Sequence, residues 1–419
     1  MSGLLSSSWA RSRPDPEALD EQTSQGISGA ITLIVAALTA LGVVLVYSST
    51  SVGIAQELAD ATRYLRKQLL WVALASCVFV LARTTDLEWL RRRSPWLLGG
   101  TALLLLCVFV PGLGKKINGA RRWIRVAGFN GQPSELAKLA LIVFLSGWLS
   151  AERERLATLK GILPILGVIG AIVGLVVIEP DMGTALLLCA VSTTLLITAG
   201  VKIRHLLAVG LPAGGVLFLF ALTKLDYIWR RIDAFLDPAS DPAGAGFQTR
   251  QALIALGSGG LWGRGLGASA QKRLFLPEVH TDYIFALVGE ELGFVGALCV
   301  VGAFAALVLY GLRAIDRARD SFQLLLATGL VTSLGIQTLL NLAVATGSVP
   351  PKGIALPFLS FGGSSLLAAA AAAGLLARVA AEGQQPALTL LGREVSAPAD
   401  EEDDIDDALV RLDPLPEVA

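Results

Sequence analysis

Long apolar stretches dominate the chain, and short polar segments separate them. Most of these stretches are long enough to cross the hydrocarbon core of a membrane as a helix, although the second and fourth are short for a span. They cover residues 27–47, 64–82, 96–111, 136–151, 162–178, 183–199, 205–222, 283–312, 322–345 and 364–381. The pattern predicts an all-α, polytopic membrane protein with about ten transmembrane helices. A large loop, residues 224–282, separates the seventh helix from the eighth.

Composition supports this class and excludes a soluble globule. Of the 419 residues, 54% are hydrophobic and 16% are charged, whereas soluble domains carry about a quarter charged residues. The formal net charge is zero, and no basic arm with interleaved aromatic residues is present, so a nucleic-acid partner is not expected. The four cysteines all lie in apolar stretches, which is typical of packed free thiols and not of disulfides or metal ligands.

The two ends of the chain are polar. Residues 1–26 contain both Asp and Glu, unlike a cleaved signal peptide, and we expect them to form a cytoplasmic tail. Residues 382–419 include the acidic run 400–407, which is typical of a disordered, solvated tail. The transmembrane domain is therefore predicted to occupy residues 27–381.

The distribution of Lys and Arg predicts the orientation, because cytoplasmic loops are enriched in positive charge. With the N-terminus inside, four basic loops fall on the cytoplasmic side: residues 91–93, 153–160, 202–204 and 313–319. The loop between the third and fourth helices breaks the rule. It carries Lys115, Lys116, Arg121, Arg122 and Arg125 on the predicted outer side. Either an anionic ligand binds there or this loop simply tolerates charge, and the rule alone does not separate the two.

Segments rich in Gly, Pro and charge all fall at the predicted outer end of the helices. They are residues 112–138, 179–184, 247–291 and 347–365. A transporter is expected to bind its substrate near the middle of the membrane, often on broken helices. The one-sided distribution instead favours an enzyme that works at the outer membrane surface.

Four helices are predicted to begin on this outer side, at Ser134, at Asp181, at Thr281 or Asp282, and at Ser364. Helix N-termini carry unpaired N–H groups and a partial positive charge, so they can bind a phosphate. The same residue types are also ordinary helix caps. Capping alone is the favoured interpretation for Ser134 and Asp181.

The long loop contains two unusual pieces. Residues 229–238 are aromatic, basic and amphipathic, which is typical of a segment that lies on the membrane surface. Residues 257–267 are rich in Gly, which lets a backbone approach a bulky ligand or adopt a positive φ; a flexible re-entrant loop is the alternative. His205 and His280 are the only histidines, so a His-based metal site is not predicted.

Three acidic residues lie in or next to the eighth apolar stretch. Asp282 stands at the mouth of the helix, where a carboxylate is costly to desolvate and can have its proton affinity tuned for chemistry. Glu290 and Glu291 follow two turns later. For these two we favour a structural role that tunes the site, with a hydroxyl group or a lysine such as Lys138 as the partner.

Several motifs then resemble a known family: Leu276-Pro277-Glu278-Val279-His280-Thr281-Asp282, Gly289-Glu290-Glu291-Leu292-Gly293, Pro351-Lys352-Gly353 and Phe358-Leu359-Ser360-Phe361-Gly362-Gly363-Ser364-Ser365. They are similar to those of the FtsW/RodA (SEDS) peptidoglycan glycosyltransferases. The resemblance covers the chain from Ile27 to about Ala381, and the last two motifs are closer to the cell-division branch, FtsW, than to the elongation branch.

The resemblance implies the substrate lipid II, polymerised into glycan strands at the outer face of the bacterial cytoplasmic membrane during septal wall synthesis. It also implies a class B penicillin-binding protein as partner, together with other division proteins. Asp282 is the expected general base on the acceptor hydroxyl, with undecaprenyl pyrophosphate as leaving group. Because that group leaves readily once its charge is compensated, one carboxylate suffices in principle. A plain helix cap is the alternative role for Asp282.

The remaining candidate residues fall into two sets. Expected substrate-binding residues are Lys115, Lys116, Arg121, Arg122, Trp123, Lys272, His280, Lys352, Ser364 and Ser365; structural or tuning residues are Glu135, Lys138, Asp181, Glu290 and Glu291. No cofactor is required and no metal site is predicted, although a divalent cation could assist the pyrophosphate. A lipid II flippase and a non-catalytic division scaffold are the alternative functions.

Overall fold

A computed structural model describes residues 16–50, 55–117, 120–126, 129–222, 235, 245–269 and 281–383. This part of the chain is mainly helical. Its α-helices are α1 (Pro16–Thr50), α2 (Ala55–Thr84), α3 (Leu87–Cys107), α4 (Pro133–Ala151), α5 (Leu159–Ile178), α6 (Met182–Thr198), α7 (Ile203–Leu222), α8 (Ala245–Ser258), α9 (Ile284–Asp316), α10 (Ser321–Ala345) and α11 (Gly363–Glu382). A short 3₁₀ helix, Arg153–Ala157, lies between α4 and α5.

The helices agree with the hydropathy pattern, because every predicted span overlaps one of them. Seven described helices are long and apolar enough to cross a membrane: α1, α2, α4, α5, α9, α10 and α11. Helix α6 is a shorter apolar helix, and the total of ten spans stays a prediction. Helix α1 begins at Pro16, so part of the polar segment that was assigned to the N-terminal tail is helical.

Side-chain caps explain where several helices begin. Thr158 accepts a hydrogen bond from the N–H of Gly161 at the start of α5, and Asp320 accepts one from the N–H of Gln323 at the start of α10. Each cap satisfies an N–H group that has no partner within its own helix. A polar residue between two apolar stretches therefore fixes the register at which each helix starts.

The basic loop between α3 and α4 contains a small antiparallel sheet that the all-α prediction omits. Its strands are β1 (Gly114–Ile117), β2 (Ala120–Val126) and β3 (Phe129–Gly131), in the order β1-β2-β3. Lys115 pairs with Trp123, and Ile124 pairs with Gly131. The β-branched and aromatic residues of β2 favour a strand, and its two neighbours make the pairing possible.

Burial separates central helices from peripheral ones. In the most apolar 18-residue stretch of each helix, 72% of the residues are buried in α10 and in α11 and 67% in α4. The buried share is only 22% in α2 and in α9. Helices α4, α10 and α11 therefore form the centre of the bundle. Any residue that α10 directs toward a loop is held by a rigid, densely packed element.

Hydrogen bonds identify the two ends of the bundle. At one end, Ser24 of α1 donates to the carbonyl of Gly383 after α11, at 2.8 Å. At the other end, Ser134 of α4 donates to Asp181 at the start of α6, at 3.2 Å, and Ser360 before α11 donates to Thr281 before α9, at 2.5 Å. Helices α4, α6, α9 and α11 thus start at the same end, which we call the loop end. The candidate residues that the structure describes lie at this end or just below it.

Candidate active site

Asp282 lies in the turn that leads into α9. The next two residues, Tyr283 and Ile284, are buried, whereas Asp282 itself is half-buried. Its backbone carbonyl accepts a hydrogen bond of 2.9 Å from Nδ2 of Asn341 in α10. The apolar side chains anchor the turn in the bundle while its carboxylate remains partly accessible.

A second segment, residues 351–361, packs against this turn. Ser360 donates to the carbonyl of Thr281, and the N–H of Leu356 donates to Ser360 at 2.8 Å. A Cβ atom placed on Gly353 would lie 3.0 Å from Oδ2 of Asp282. Glycine at this position therefore lets the backbone approach the carboxylate closely. The half-buried cation Lys352 precedes it directly in the chain.

A buried ion pair supports the same segment from below. Nζ of Lys138 lies 2.9 Å from Oε2 of Glu135 and donates to Oε1 of Gln337 at 2.7 Å. Gln337 donates in turn to the carbonyl of Ala355 at 2.9 Å, and its Nε2 lies 3.5 Å from Oγ of Ser365. A buried ion pair needs such additional hydrogen bonds to offset its desolvation. Both charges of the pair thus contact groups within the bundle, and the structural or tuning role of Glu135 and Lys138 stays a prediction.

The start of α11 is covered by α2. The rings of Tyr64 and Phe361 meet edge to face at a centroid distance of 5.4 Å. Gly363 lies so close to Trp71 that a Cβ atom there would clash with the indole ring. No side chain caps the N–H groups in the first turn of this helix, because the residue at the cap position is Gly362. Ser364 is buried and Ser365 is half-buried in the same turn.

Strand β2 separates the basic residues of the loop onto two faces. Nε of Arg122 donates to the carbonyl of Glu179 at 3.2 Å, and its Nη2 donates to that of Pro180. Because side chains alternate along a strand, Arg121 and Trp123 point away from Arg122. Arg121, like Arg125 and Lys115, is exposed, and Trp123 is half-buried. The structure thus does not bring Arg121 and Arg122 to one point.

Asp181 joins three elements through its carboxylate. One oxygen accepts hydrogen bonds from Gln132 at 2.9 Å and from Ser134. The other caps the N–H of Thr184 at 3.3 Å and lies 3.9 Å from Nη1 of Arg122. The interpretation of Asp181 as a helix cap agrees with these contacts. For Ser134, the hydroxyl group binds Asp181 instead of capping its own helix.

The same turn between α5 and α6 also touches the segment beside Asp282. A Cβ atom placed on Gly183 would lie 2.9 Å from the side chain of Ile354. Ile354 follows Gly353, whose backbone approaches the carboxylate of Asp282. Arg122 therefore holds a turn that contacts the segment beside the candidate base through the side chain of Ile354.

Glu179 is a feature that sequence reasoning did not single out. Its side chain is fully buried, and neither carboxylate oxygen has a hydrogen-bond partner among the described residues. Burial, with a further contribution from Asp181, raises the pKa of Glu179 to about 8, and Arg122 opposes the shift. The group is therefore mostly protonated at neutral pH. The only sequence signal was a Glu-Pro-Asp turn between two apolar stretches.

Glu290 and Glu291 are both buried inside the bundle. Ser48 of α1 donates to the carboxylate of Glu291, with distances of 2.6 and 2.7 Å to its two oxygens. Ser269 donates to Glu290, and Nη1 of Arg264 lies 3.9 Å from the same side chain. Hydroxyl groups therefore hold both glutamates, as one of the two structural alternatives expected. The other alternative, Lys138, is wrong, because that lysine pairs with Glu135 and Gln337.

Helix α9 is broken just after the two glutamates. Gly293 has φ 71° and ψ −169°, which interrupts the helical hydrogen bonds. Residues 259–267, which we call the glycine turn, supply the missing partners. The N–H groups of Arg264 and Gly265 donate to the carbonyls of Glu290 and Glu291, each at 3.0 Å. In return, the N–H of Phe294 donates to Gly260 at 2.9 Å. Both free ends of the broken helix are thereby satisfied.

Glycines make this insertion sterically feasible. A Cβ atom placed on Gly259 would lie 1.9 Å from the carbonyl oxygen of Gly289, and one on Gly263 would lie 2.2 Å from that of Glu291. Of the two reasons predicted for these glycines, a positive φ is confirmed at Gly263, with φ 79°, whereas approach to a bulky ligand is not what either position shows. The backbone that they approach belongs to α9.

Several predicted features lie outside the described residues. These are Lys272, His280, the amphipathic segment 229–238 apart from residue 235, and the acidic run 400–407. Lys116 pairs with Arg121 across β1 and β2, and the exposure of its side chain is not described. Within the described ranges, no group of three or more His, Cys, Asp or Glu side chains could hold a metal ion.

The fold, together with the polar residues gathered around Asp282 at the loop end, defines a polytopic helical membrane protein with a polar site at one end of its bundle. The FtsW, RodA and SpoVE family, described as cell cycle protein, matches residues 29–385. The chain therefore belongs to this family, as the motifs predicted.

The chain matches its relatives over nearly their whole length. The probable peptidoglycan glycosyltransferase FtsW of Geobacter sp. (strain M18) is 41% identical over 356 residues, which cover 85% of this chain and 97% of the relative. Stage V sporulation protein E of Bacillus subtilis (strain 168) is 36% identical, with 83% and 95% covered.

Two solved structures share the fold. One is described as "Structural coordination of polymerization and crosslinking by a peptidoglycan synthase complex"; it matches with a TM-score of 0.68 and 30% identity over 84% of this chain and 96% of that one. The rod shape determining protein RodA of Thermus thermophilus matches with a TM-score of 0.62 and 30% identity, covering 85% and 97%. The chain is thus a multi-pass membrane protein with a RodA-like fold.

Proposed function

We propose that this protein polymerises lipid II into glycan strands at the outer face of the bacterial cytoplasmic membrane, with Asp282 as the general base. The enzyme class, peptidoglycan glycosyltransferase, is supported by family membership and by relatives of that name at about 41% identity. One observation carries the choice of residue. Asp282 is a half-buried carboxylate whose backbone is held by α10 and whose side chain meets Gly353 at the loop end.

The chemistry requires one proton acceptor and compensation of charge. The acceptor sugar hydroxyl loses its proton to Asp282 and forms a bond to the anomeric carbon of the donor. The bond from that carbon to the pyrophosphate breaks, and the lipid pyrophosphate departs with the electron pair. In this proposal the half-buried Lys352 and the uncapped start of α11 stabilise the departing charge, with the exposed Lys115 and Arg121 as further cations.

The distribution of polar groups argues against a flippase. A flippase needs a polar path through the membrane and alternating access. Below the loop end, the buried polar groups Glu290, Glu291 and Lys138 are each engaged by hydroxyl, amide or carboxylate partners within the bundle. Such groups are committed to internal contacts, which supports a static scaffold for a site at the surface.

The partners and location follow from the relatives. A solved structure with the same fold is described as a peptidoglycan synthase complex that coordinates polymerization and crosslinking. We propose that a class B penicillin-binding protein supplies the crosslinking activity for this chain. Because the relatives are named FtsW, we place the protein at the division septum with other division proteins. A divalent cation could assist the pyrophosphate.

A reconstituted assay tests this function. The purified chain is incubated with lipid II, with and without a candidate class B penicillin-binding protein, and the products are separated by length. We expect glycan strands from the wild type and none from Asp282→Asn. The control is Asp86→Asn, which alters an exposed helix cap at the opposite end of the bundle. Lipid II translocation without polymerisation would instead favour the flippase.

A further inference from the structure

Asn341 connects the candidate base to the segment beside it. Its Nδ2 donates to the carbonyl of Asp282 at 2.9 Å and to the carbonyl of Ile354 at 2.7 Å. Both partners are backbone oxygens, which only accept hydrogen bonds, so the NH₂ group of the amide must face them. One side chain therefore bridges the turn before α9 and the segment 351–361.

The burial of Asn341 indicates that its role is to donate these two hydrogen bonds. The residue is 1% exposed, and its Oδ1 has no hydrogen-bond partner within the described ranges. A buried acceptor without a partner costs free energy. Leucine, of similar size, would avoid that cost but would leave both carbonyls without their donor. Only the two-proton donor explains an amide at this position.

A second amide strengthens the arrangement. Gln337 lies one turn before Asn341 on the same face of α10 and donates to Ala355, the neighbour of Ile354. Two amides on one buried helix thus hold two consecutive carbonyls of the segment 351–361. Gln337 is itself fixed by Lys138. The segment therefore takes its position from the centre of the bundle.

The consequence reaches the carboxylate. Gly353 immediately precedes Ile354, and the space beside it is so narrow that a Cβ atom there would lie 3.0 Å from Oδ2 of Asp282. A shift of Ile354 by a few tenths of an ångström would move Gly353 relative to that oxygen. We infer that Asn341 is a positioning residue, which sets the carboxylate of Asp282 relative to the backbone at Gly353 by holding both chains at once. The inference rests on the proposed role of Asp282 as the base.

Steady-state kinetics on lipid II, as a function of pH, test the inference. Asn341→Leu removes both donors at nearly constant volume. We expect kcat to fall about tenfold or more, because small misplacements of a catalytic group are costly, while KM stays within about twofold. The midpoint of the acid limb of the kcat profile should also move, since the surroundings of the base change. A merely structural residue would lower the yield of folded protein without moving that midpoint.

Matched variants keep the result interpretable. Thr338→Val is the control, because Thr338 is also buried in α10 and, among the residues that the structure describes, its hydroxyl binds only Leu334 of its own helix. If Asn341→Leu does not fold, Asn341→Ser replaces it; a hydroxyl has one proton and cannot serve both carbonyls. Gly353→Ala approaches from the other side, since the added Cβ must displace Oδ2 of Asp282. It should lower kcat while leaving the two hydrogen bonds of Asn341 in place.

The outcomes separate this inference from the proposed function. Wild-type kcat and an unmoved pH profile in a folded Asn341 variant, together with an inactive Asp282→Asn, would overturn the positioning role alone. An active Asp282→Asn would overturn the assignment of the base, whatever Asn341 does. A lower kcat in the Asn341 and Gly353 variants, with Thr338→Val unchanged, supports the inference.

Discussion

Asp282 and the pair Glu290 and Glu291 lie at the two ends of one short helical stretch, yet they are held in opposite ways. Asp282 is fixed through its backbone, by Asn341, and its carboxylate stays half-buried at the loop end. The two glutamates are fixed through their carboxylates, by Ser48 and Ser269, and are fully enclosed.

We interpret this difference as the contrast between a half-buried candidate base and buried carboxylates that stabilise the fold. A general base must exchange protons with a substrate, so the protein can restrain its backbone but must leave an oxygen accessible. A structural carboxylate must instead have its oxygens satisfied, because burial without partners is costly. Mutations that remove oxygens or contacts at each place should therefore give different kinds of defect.

The largest expected effect is on catalysis at Asp282. Asp282→Asn is nearly isosteric but cannot accept the proton, so polymerisation should fall by at least about 10²-fold while folding and membrane insertion persist. Strand synthesis and thermal unfolding in detergent measure the two properties separately. Near wild-type synthesis by this variant would show that Asp282 is not the base and would end its distinction from the two glutamates.

The next largest effect is on stability at the glycine turn. Gly263→Ala places a Cβ against the backbone of α9 at a position with positive φ, so we expect a loss of about 2–3 kcal/mol or more in unfolding free energy. Gly257→Ala is the control, because nothing lies within 4 Å of a Cβ there. Unfolding in detergent compares the two. Equal stability would show that the turn does not need its glycines.

A smaller loss of stability is expected at Glu291. Ser48→Ala removes the hydroxyl that donates its one proton to the carboxylate of Glu291, which should cost about 1–3 kcal/mol. The folded fraction should keep a kcat within a few-fold of wild type, unlike Asp282→Asn. Polymerisation assays normalised to folded protein test this. A kcat loss comparable to that of Asp282→Asn would assign Glu291 a catalytic role.

Glu179 extends the comparison to a buried carboxylate without described partners. Its pKa rises on folding from 4.5 to about 8, so the protonated form stabilises the fold. That contribution is complete below pH 4.5 and declines by about 1.4 kcal/mol per pH unit until about pH 8. Glu179→Gln should remove this decline. Unfolding of both proteins from pH 5 to 9 measures it, and parallel curves would contradict the burial of an ionisable group.

The smallest effects should separate the two neighbouring arginines. Arg122→Gln loses its bonds to the turn between α5 and α6, and we expect about 1 kcal/mol of destabilisation. Arg121→Gln should leave stability unchanged, since the side chain is exposed, and should raise KM if it binds the pyrophosphate. Unchanged kinetics of Arg121→Gln would leave that role to Lys352 and the start of α11.

Much of the fold could be predicted, because each membrane span is a continuous apolar stretch of the sequence. Ten apolar stretches located the helices, and the motifs around Asp282 and Ser364 located the family. The order of the polar segments along the chain also predicted that those rich in Gly, Pro and charge lie at one end of the helix bundle. These features depend on composition and order, which a single sequence contains.

The missed features depend on partners distant in sequence. Arg121 and Arg122 are adjacent and chemically identical, and only the pairing of β2 with its neighbours separates their directions. The break at Gly293 is hidden, because the apolar stretch resumes directly after it and the mean hydropathy of the whole segment stays high despite Glu290 and Glu291. Glu179 resembles any loop acid until the packing of α5, α6 and β2 encloses it.

The break in α9 also adjusts the length of the span. An unbroken helix of 33 residues would be about 50 Å long, against a hydrocarbon thickness of about 30 Å. Residues 294–316 alone measure roughly 35 Å, which matches the bilayer with a modest tilt. The preceding residues, from 284 to 292, are then free of that matching requirement. We therefore expect packing within the protein to set the height of Asp282 above the membrane, and a change in bilayer thickness to act mainly on the tilt of residues 294–316.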